Sequence, residues 1–426
     1  VASSTWGRLA ALMLAALSAS SPAGNSESGH AATIGLTPLV GTLPTALDKS
    51  FVPNPALAAL GKRIFNDPGL SNPTGLSCAS CHDAALGLAS SRVARFGVAE
   101  GSVPGRYGTR NVLALRYARY TPSLVFFSDE SDDDPTPQPH GGLLHDGRVD
   151  SLAEQPRVPL LDKQEMNNRD PAMVAQKLRR SSYADELRTV FGRNALDDPD
   201  RALVAAGEAL RAYLESDELS PFSSRYDAFI EGKAKLTPLE MKGLQLFRDP
   251  QKGNCGSCHA FNPDSSNPLR SMFTDYGYEA VGAPRNEDLA AMRRGSQADL
   301  GLCTTAAARK WPDPAQWCGY FRTPSLRNVA VRERFMHNGV FKDLRTVVEF
   351  YASRSTDPSR WYPRGVLFDD LPERDRKNVN VSASPWNRKP GDRPGLNAGE
   401  IDAVVAFLHT LTDGDLPAPV SEGAHR

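Results

Sequence analysis

Two stretches of this 426-residue chain set a pair of cysteines three positions apart with a histidine directly after the second: Cys78-Ala79-Ser80-Cys81-His82 and Cys255-Gly256-Ser257-Cys258-His259. Thiols at that spacing can add to the vinyl groups of one haem, and the imidazole that follows reaches the iron from the same loop. Zinc is the rival reading. A zinc ribbon needs its second cysteine pair within about 15 to 20 residues, and zinc leaves the histidine after each pair unexplained. The expectation is two covalently bound haem c groups, with His82 and His259 as proximal iron ligands. The opposite side of each iron decides the chemistry, because a six-coordinate iron passes electrons while an open one can bind peroxide. No methionine or other histidine lies between His82 and His140, so nothing nearby in sequence caps the first haem.

The segments that must position these motifs repeat. Gly61-Lys62-Arg63-Ile64-Phe65-Asn66-Asp67-Pro68 precedes the first and Gly243-Leu244-Gln245-Leu246-Phe247-Arg248-Asp249-Pro250 the second. Apolar residues recur upstream at helical spacing (Leu57, Leu60, Ile64; Leu239, Gly243, Leu246), and Asp-Pro ends each helix before its haem-binding loop. The fold class read from this is mainly α, with two cytochrome c-like domains, one haem each, related by an internal repeat. The expected boundaries are 33–220 and 221–415, with a Ser/Pro-rich linker around 215–235 after a helix over 202–214. Ile401, Val404, Val405, Leu408 and Leu411 form an apolar stripe on a late helix that should pack against the second unit.

Composition narrows the alternatives. The chain has 49 basic and 50 acidic residues, so no basic field is available to gather phosphates, and nucleic acid is not an expected partner. Arg8, the apolar stretch from Leu9 to Leu17 and small residues through Ala23 read as a signal peptide over 1–23, too short for stable membrane insertion. A buried N-terminal helix is the alternative. Export suits Cys303 and Cys318, which are expected to form a disulfide; two unrelated free thiols are the other possibility. The acidic run within 128–142 reads as a solvated loop, with partner docking as its competitor.

Beyond the haem motifs, four features are diagnostic together: Asp146-Gly147-Arg148, Glu154-Gln155, Glu165-Met166-Asn167, and the run Phe321 to Val329 followed by Met336-His337-Asn338-Gly339. Across nearly the whole mature chain they resemble the bacterial dihaem cytochrome c peroxidase family, and its MauG-like members more closely. The resemblance implies that Glu165 and Gln155 line the peroxide side of the open haem and that Pro159 shapes that pocket. A carboxylate there can take the first proton of hydrogen peroxide and deliver it to the leaving oxygen. Fourteen residues after His337, where cytochrome c peroxidases carry a methionine ligand and MauG a tyrosine, this chain has Tyr351. A tyrosinate is a hard anionic donor that favours high oxidation states. The competing reading makes Tyr351 a buried aromatic on a helix over 344–351, with Met336 or another residue as ligand. His337 is expected near the second haem without ligating it.

Three further expectations follow from the resemblance. The distal histidine of classical members has no counterpart after the first motif, so peroxide should bind without prior reduction. His145 stands beside the haems where the family has a relay tryptophan, and imidazole is harder to oxidise than indole. A calcium ion would take the Asn111 side chain and the backbone carbonyls of Arg332 and Arg334. The implied function is a periplasmic dihaem oxidoreductase that reacts with hydrogen peroxide and uses high-valent haem to oxidise a protein partner, by analogy at an aromatic residue. Two alternatives stand beside it: a cytochrome c peroxidase fed by a small redox protein, and a non-catalytic dihaem electron carrier.

Overall fold

Three of the longest helices begin with a capping side chain and a proline in the first turn, where a missing N–H costs nothing. Asn54 caps Pro55–Phe65, Asp198 caps Pro199–Leu214, and Thr237 caps Pro238–Arg248 with Glu240 returning a hydrogen bond. The computed structural model describes residues 39–40, 54–90, 92–93, 95–128, 137–261, 271–292 and 298–414. The expected signal peptide, the start of the first expected domain and most of the acidic run fall outside them.

Two hydrophobic cores divide the described chain. The first draws on residues from Leu60 to Leu219, with Pro55–Phe65 and Pro171–Arg180 both packed on Pro199–Leu214. The second draws on Tyr226 to Leu411, with Pro238–Arg248 and Leu344–Ser353 packed on Ala398–His409. Both cores use the same close crossing. A Cβ on Gly61 would run into the Ala209 carbonyl and the Tyr213 Cβ, and one on Gly243 would run into the Ala403 carbonyl and the Phe407 Cβ. Only glycine lets the helix backbones approach this closely. Ile401, Val404, Val405, Leu408 and Leu411 are all buried in the second core.

Two details differ from the sequence pattern. Leu239 is 49% exposed, because it sits in the first helical turn beyond the edge of the core, so the buried face of that helix begins at Glu240. The segment around 215–235 is not a plain linker. It contains the helix Arg225–Ile230, whose Asp227 is buried and receives both terminal nitrogens of Arg327 at 2.9 and 3.0 Å. Although burial opposes its ionisation, Arg327 holds the Asp227 carboxyl below the usual range. Arg327 also stacks between Tyr117 and Phe222, at 4.8 and 4.5 Å.

Segments before and after residue 220 meet at close quarters. Tyr117 Oη donates to Asp413 at 2.6 Å, and Asn328 donates to the same carboxylate at 2.7 Å. Gly97 and Gly339 stand back to back with φ of +76° and +67°, each in the place where a Cβ on the other would strike its carbonyl. Among the described residues strands are few: a three-stranded sheet of Leu39–Val40, Val125–Ser128 and Gln138–His140, and a pair of Tyr278–Glu279 with Phe321–Arg322. Cys303 and Cys318 are joined by a disulfide inside a small Trp311/Trp317 cluster. Among the described residues no helix is long and apolar enough to cross a membrane.

Candidate functional site

Cys78–Cys81 is a single helical turn, which puts both thiols on one side with His82 directly after them. The His82 amide donates to the Cys78 carbonyl at 2.9 Å, and the His259 amide to the Cys255 carbonyl at 2.8 Å. In each motif the histidine Nδ1 donates to a backbone carbonyl, Leu88 for His82 at 2.8 Å and Phe273 for His259 at 3.0 Å. That bond fixes the tautomer and leaves Nε2 with the lone pair a metal needs. Burial lowers both imidazoles to about 4, so they stay neutral and able to ligate.

A cavity opens over the first motif. Apolar side chains such as Leu115, Leu160 and Leu210 line it together with Cys78, Cys81, His82, Gln155, Pro159 and Glu165. Two paired thiols, a neutral imidazole and an apolar lining are the donor set and surroundings that a haem c macrocycle requires. The structure thus brings together all three residues expected on the peroxide side. Pro159 accepts the Met166 amide at 3.1 Å and so folds the 159–166 turn that presents Glu165. Burial, then the charge of Asp162, raises the Glu165 carboxyl to about 7, although Arg148 opposes the shift. Such a group can both give and take a proton near neutrality. Met166, which sequence reasoning did not single out, lines the same chamber; its place beside Glu165 in the motif was the signal available.

The second motif meets a different set. Tyr351 lies on Leu344–Ser353, close enough to Cys255 and Cys258 for their charges to act on it, and its ring lies 5.6 Å from that of Trp386. Burial first, and Cys258 second, push the phenol well above its ordinary range. Arg354 is fully buried and lies 4.3 Å over the Trp386 ring. His337 stacks on Phe321 at 3.7 Å and bonds Asp370 through Nε2 at 3.0 Å.

A second, larger cavity runs from Cys81 and His82 of the first motif past His145 and Tyr276 to Pro324, whose backbone approaches His259 of the second. His145 Nε2 donates to the Asn111 carbonyl at 2.8 Å, and burial holds its pKa far below the ordinary value. Tyr276, unanticipated from sequence, turns a buried hydroxyl with no hydrogen-bond partner among the described residues. Asn111 Nδ2 donates to the Arg334 carbonyl at 2.9 Å and to the Met336 carbonyl at 3.3 Å, which gathers part of the expected calcium set.

Comparison with known proteins gives the arrangement its family. The family model described as di-haem cytochrome c peroxidase matches residues 55–235. The methylamine utilization protein MauG of Paracoccus denitrificans (strain Pd 1222) is 36% identical over 396 residues, 89% of this chain and 94% of the relative. The chain belongs to the dihaem cytochrome c peroxidase family. It is also 26% identical to the cytochrome c551 peroxidase of Pseudomonas aeruginosa, over 68% of this chain and 69% of that one. The crystal structure of the diheme peroxidase BthA from Burkholderia thailandensis E264 superposes with a TM-score of 0.84 at 50% identity, covering 88% of this chain and 90% of that one. As a member of this family the protein is a dihaem peroxidase-type oxidoreductase, and membership implies two haem groups.

Proposed function

We propose that this chain is an exported, periplasmic c-type enzyme of the MauG kind, which consumes hydrogen peroxide and withdraws electrons from a protein partner. One observation carries the reading: Gln155, Pro159 and Glu165 converge on the chamber over Cys78, Cys81 and His82, while Tyr351 stands beside Cys255 and Cys258. The two haems, attached through the four cysteines, would supply iron centres that peroxide can oxidise by two electrons in total. Every other part falls to side chains. Glu165 takes the peroxide proton at its carboxylate and returns it to the departing oxygen, so water leaves. Gln155 orients the substrate through its amide, and the Pro159 carbonyl holds the turn that aims Glu165. His82 and His259 keep their Nε2 lone pairs forward through their Nδ1 hydrogen bonds. Tyr351 would supply an oxygen donor to the second iron, whose positive charge would offset the burial that otherwise keeps the phenol protonated. His145 and Tyr276 line the space between the two centres.

Calcium belongs to this reading, held by Asn111 Oδ1 and the carbonyls of Arg332 and Arg334. The Asn111 amide nitrogen faces the Arg334 carbonyl, so binding requires the amide to turn over. The leader-like sequence and the Cys303–Cys318 disulfide support an oxidising, exported location. The test is peroxide consumption by the fully oxidised enzyme, with and without a reduced c-type cytochrome. Consumption without the donor is expected; a strict requirement for it would favour the cytochrome c peroxidase alternative.

A further inference from the structure

The cavity that runs from His82 to Pro324 is lined by six arginines, and they fall into two sets. Arg110, Arg116, Arg148 and Arg327 each have a carboxylate partner: Asp146 with Asp299, Asp413, Asp146 and Asp227 respectively. Arg322 and Arg332 have none within ion-pair distance among the described residues. Arg322 Nε donates to the Leu144 carbonyl at 3.2 Å and the guanidinium lies 6.0 Å over Tyr276. Arg332 Nη2 donates to the Val112 carbonyl at 2.9 Å. Burial lowers both, Arg332 to about 10, whereas the paired Arg110 and Arg327 are raised. A buried cation without an anion is expensive to keep, and a planar guanidinium fork matches a carboxylate through two parallel hydrogen bonds.

We infer that Arg332 and Arg322 are carboxylate-binding residues that pair with haem propionates, Arg332 with the first haem and Arg322 with the second. This rests on the reading that haem occupies both motifs. The assignment to separate haems follows from position. Arg332 is near enough to His82 for its charge to act on that imidazole. Arg322 lies two residues before Pro324, whose carbonyl approaches His259. A single loop run thereby presents one cation to each centre. Besides anchoring the propionates, each fixed positive charge disfavours the ferric over the ferrous state of its own iron, and so raises that potential.

The experiment is spectroelectrochemical titration of the haem-loaded protein, its haem content checked by pyridine haemochromogen, alongside Arg332→Gln, Arg322→Gln and the two Lys variants. Arg332→Gln is expected to lower the midpoint potential of the first haem alone, and Arg322→Gln that of the second haem alone. The Lys variants keep the charge but lose the fork, so their potentials stay near wild type while the propionate-bending bands in resonance Raman shift. Unchanged potentials in both Gln variants, or equal shifts of both haems from either one, would overturn the assignment. Should a Gln variant fail to fold, unshifted Raman bands in the corresponding Lys variant overturn it for that residue. Wild-type protein without two covalent haems would instead defeat the underlying reading.

Discussion

The two haem-motif regions share one proximal design and diverge on the other side. Each sets a glycine-bearing helix against a carbonyl of its partner helix, follows it with a cysteine pair and a histidine, and ties that histidine's Nδ1 to a backbone oxygen. Opposite, the first region offers a chamber with a carboxyl, an amide and a proline-held turn, whereas the second offers a buried phenol backed by Trp386 and Arg354. Attachment is a fixed chemical demand and tolerates little variation. On the proposed function, the distal side is where the first region admits peroxide and the second is capped by Tyr351.

The largest effect expected to break this comparison comes from Glu165→Gln. It should slow peroxide consumption by on the order of 10²- to 10³-fold, the scale of a lost general acid-base, while stopped-flow spectra of the second haem stay unchanged. Next is Tyr351→Met, which should replace the anionic ligand by a thioether and raise the second haem's potential, measured by redox titration, without loss of covalent haem. An unaltered low-spin EPR signal would remove Tyr351 from the ligand set.

Acidity separates the regions further. With Glu165 raised from 4.5 to about 7, the proton-accepting carboxylate grows in as pH rises through 7. The rate of peroxide consumption should climb below that point and level off above it, and Glu165→Gln should flatten the profile. The stability sign is the reverse. A raised carboxyl favours the fold fully below about 4.5, and that contribution is lost as pH climbs through 7. Smaller still, Gly61→Ala and Gly243→Ala should each cost about 1–3 kcal/mol by urea unfolding, because either methyl overpacks the helix crossing. Similar losses at the two sites would confirm that the proximal halves are alike, and a large disparity would deny it.

The parts that were legible from sequence are those with local signatures: both cysteine motifs, the Asp-Pro stops, the late apolar stripe and the helix that carries Tyr351. Residues that act across the chain left no such trace. Asp227 meets Arg327 across a hundred positions, so the segment that holds it looked like a linker. Arg322 was legible only as part of a motif and Arg332 only for its backbone carbonyl; the cavity that their side chains share with four carboxylate-paired arginines appears only in the fold. Leu239 misled in the opposite direction, because periodicity cannot tell where a helix leaves its core.

The central claim is that the two centres are unequal before any electron arrives. Mixing fully oxidised protein with one equivalent of hydrogen peroxide, and freezing samples for EPR, tests it directly. The account predicts one high-spin and one low-spin ferric signal at rest, with the high-spin signal lost on mixing in the absence of reductant. Two low-spin signals at rest, as a Met166 ligand on the first iron would give, or a high-spin signal that persists until a donor is added, would contradict it.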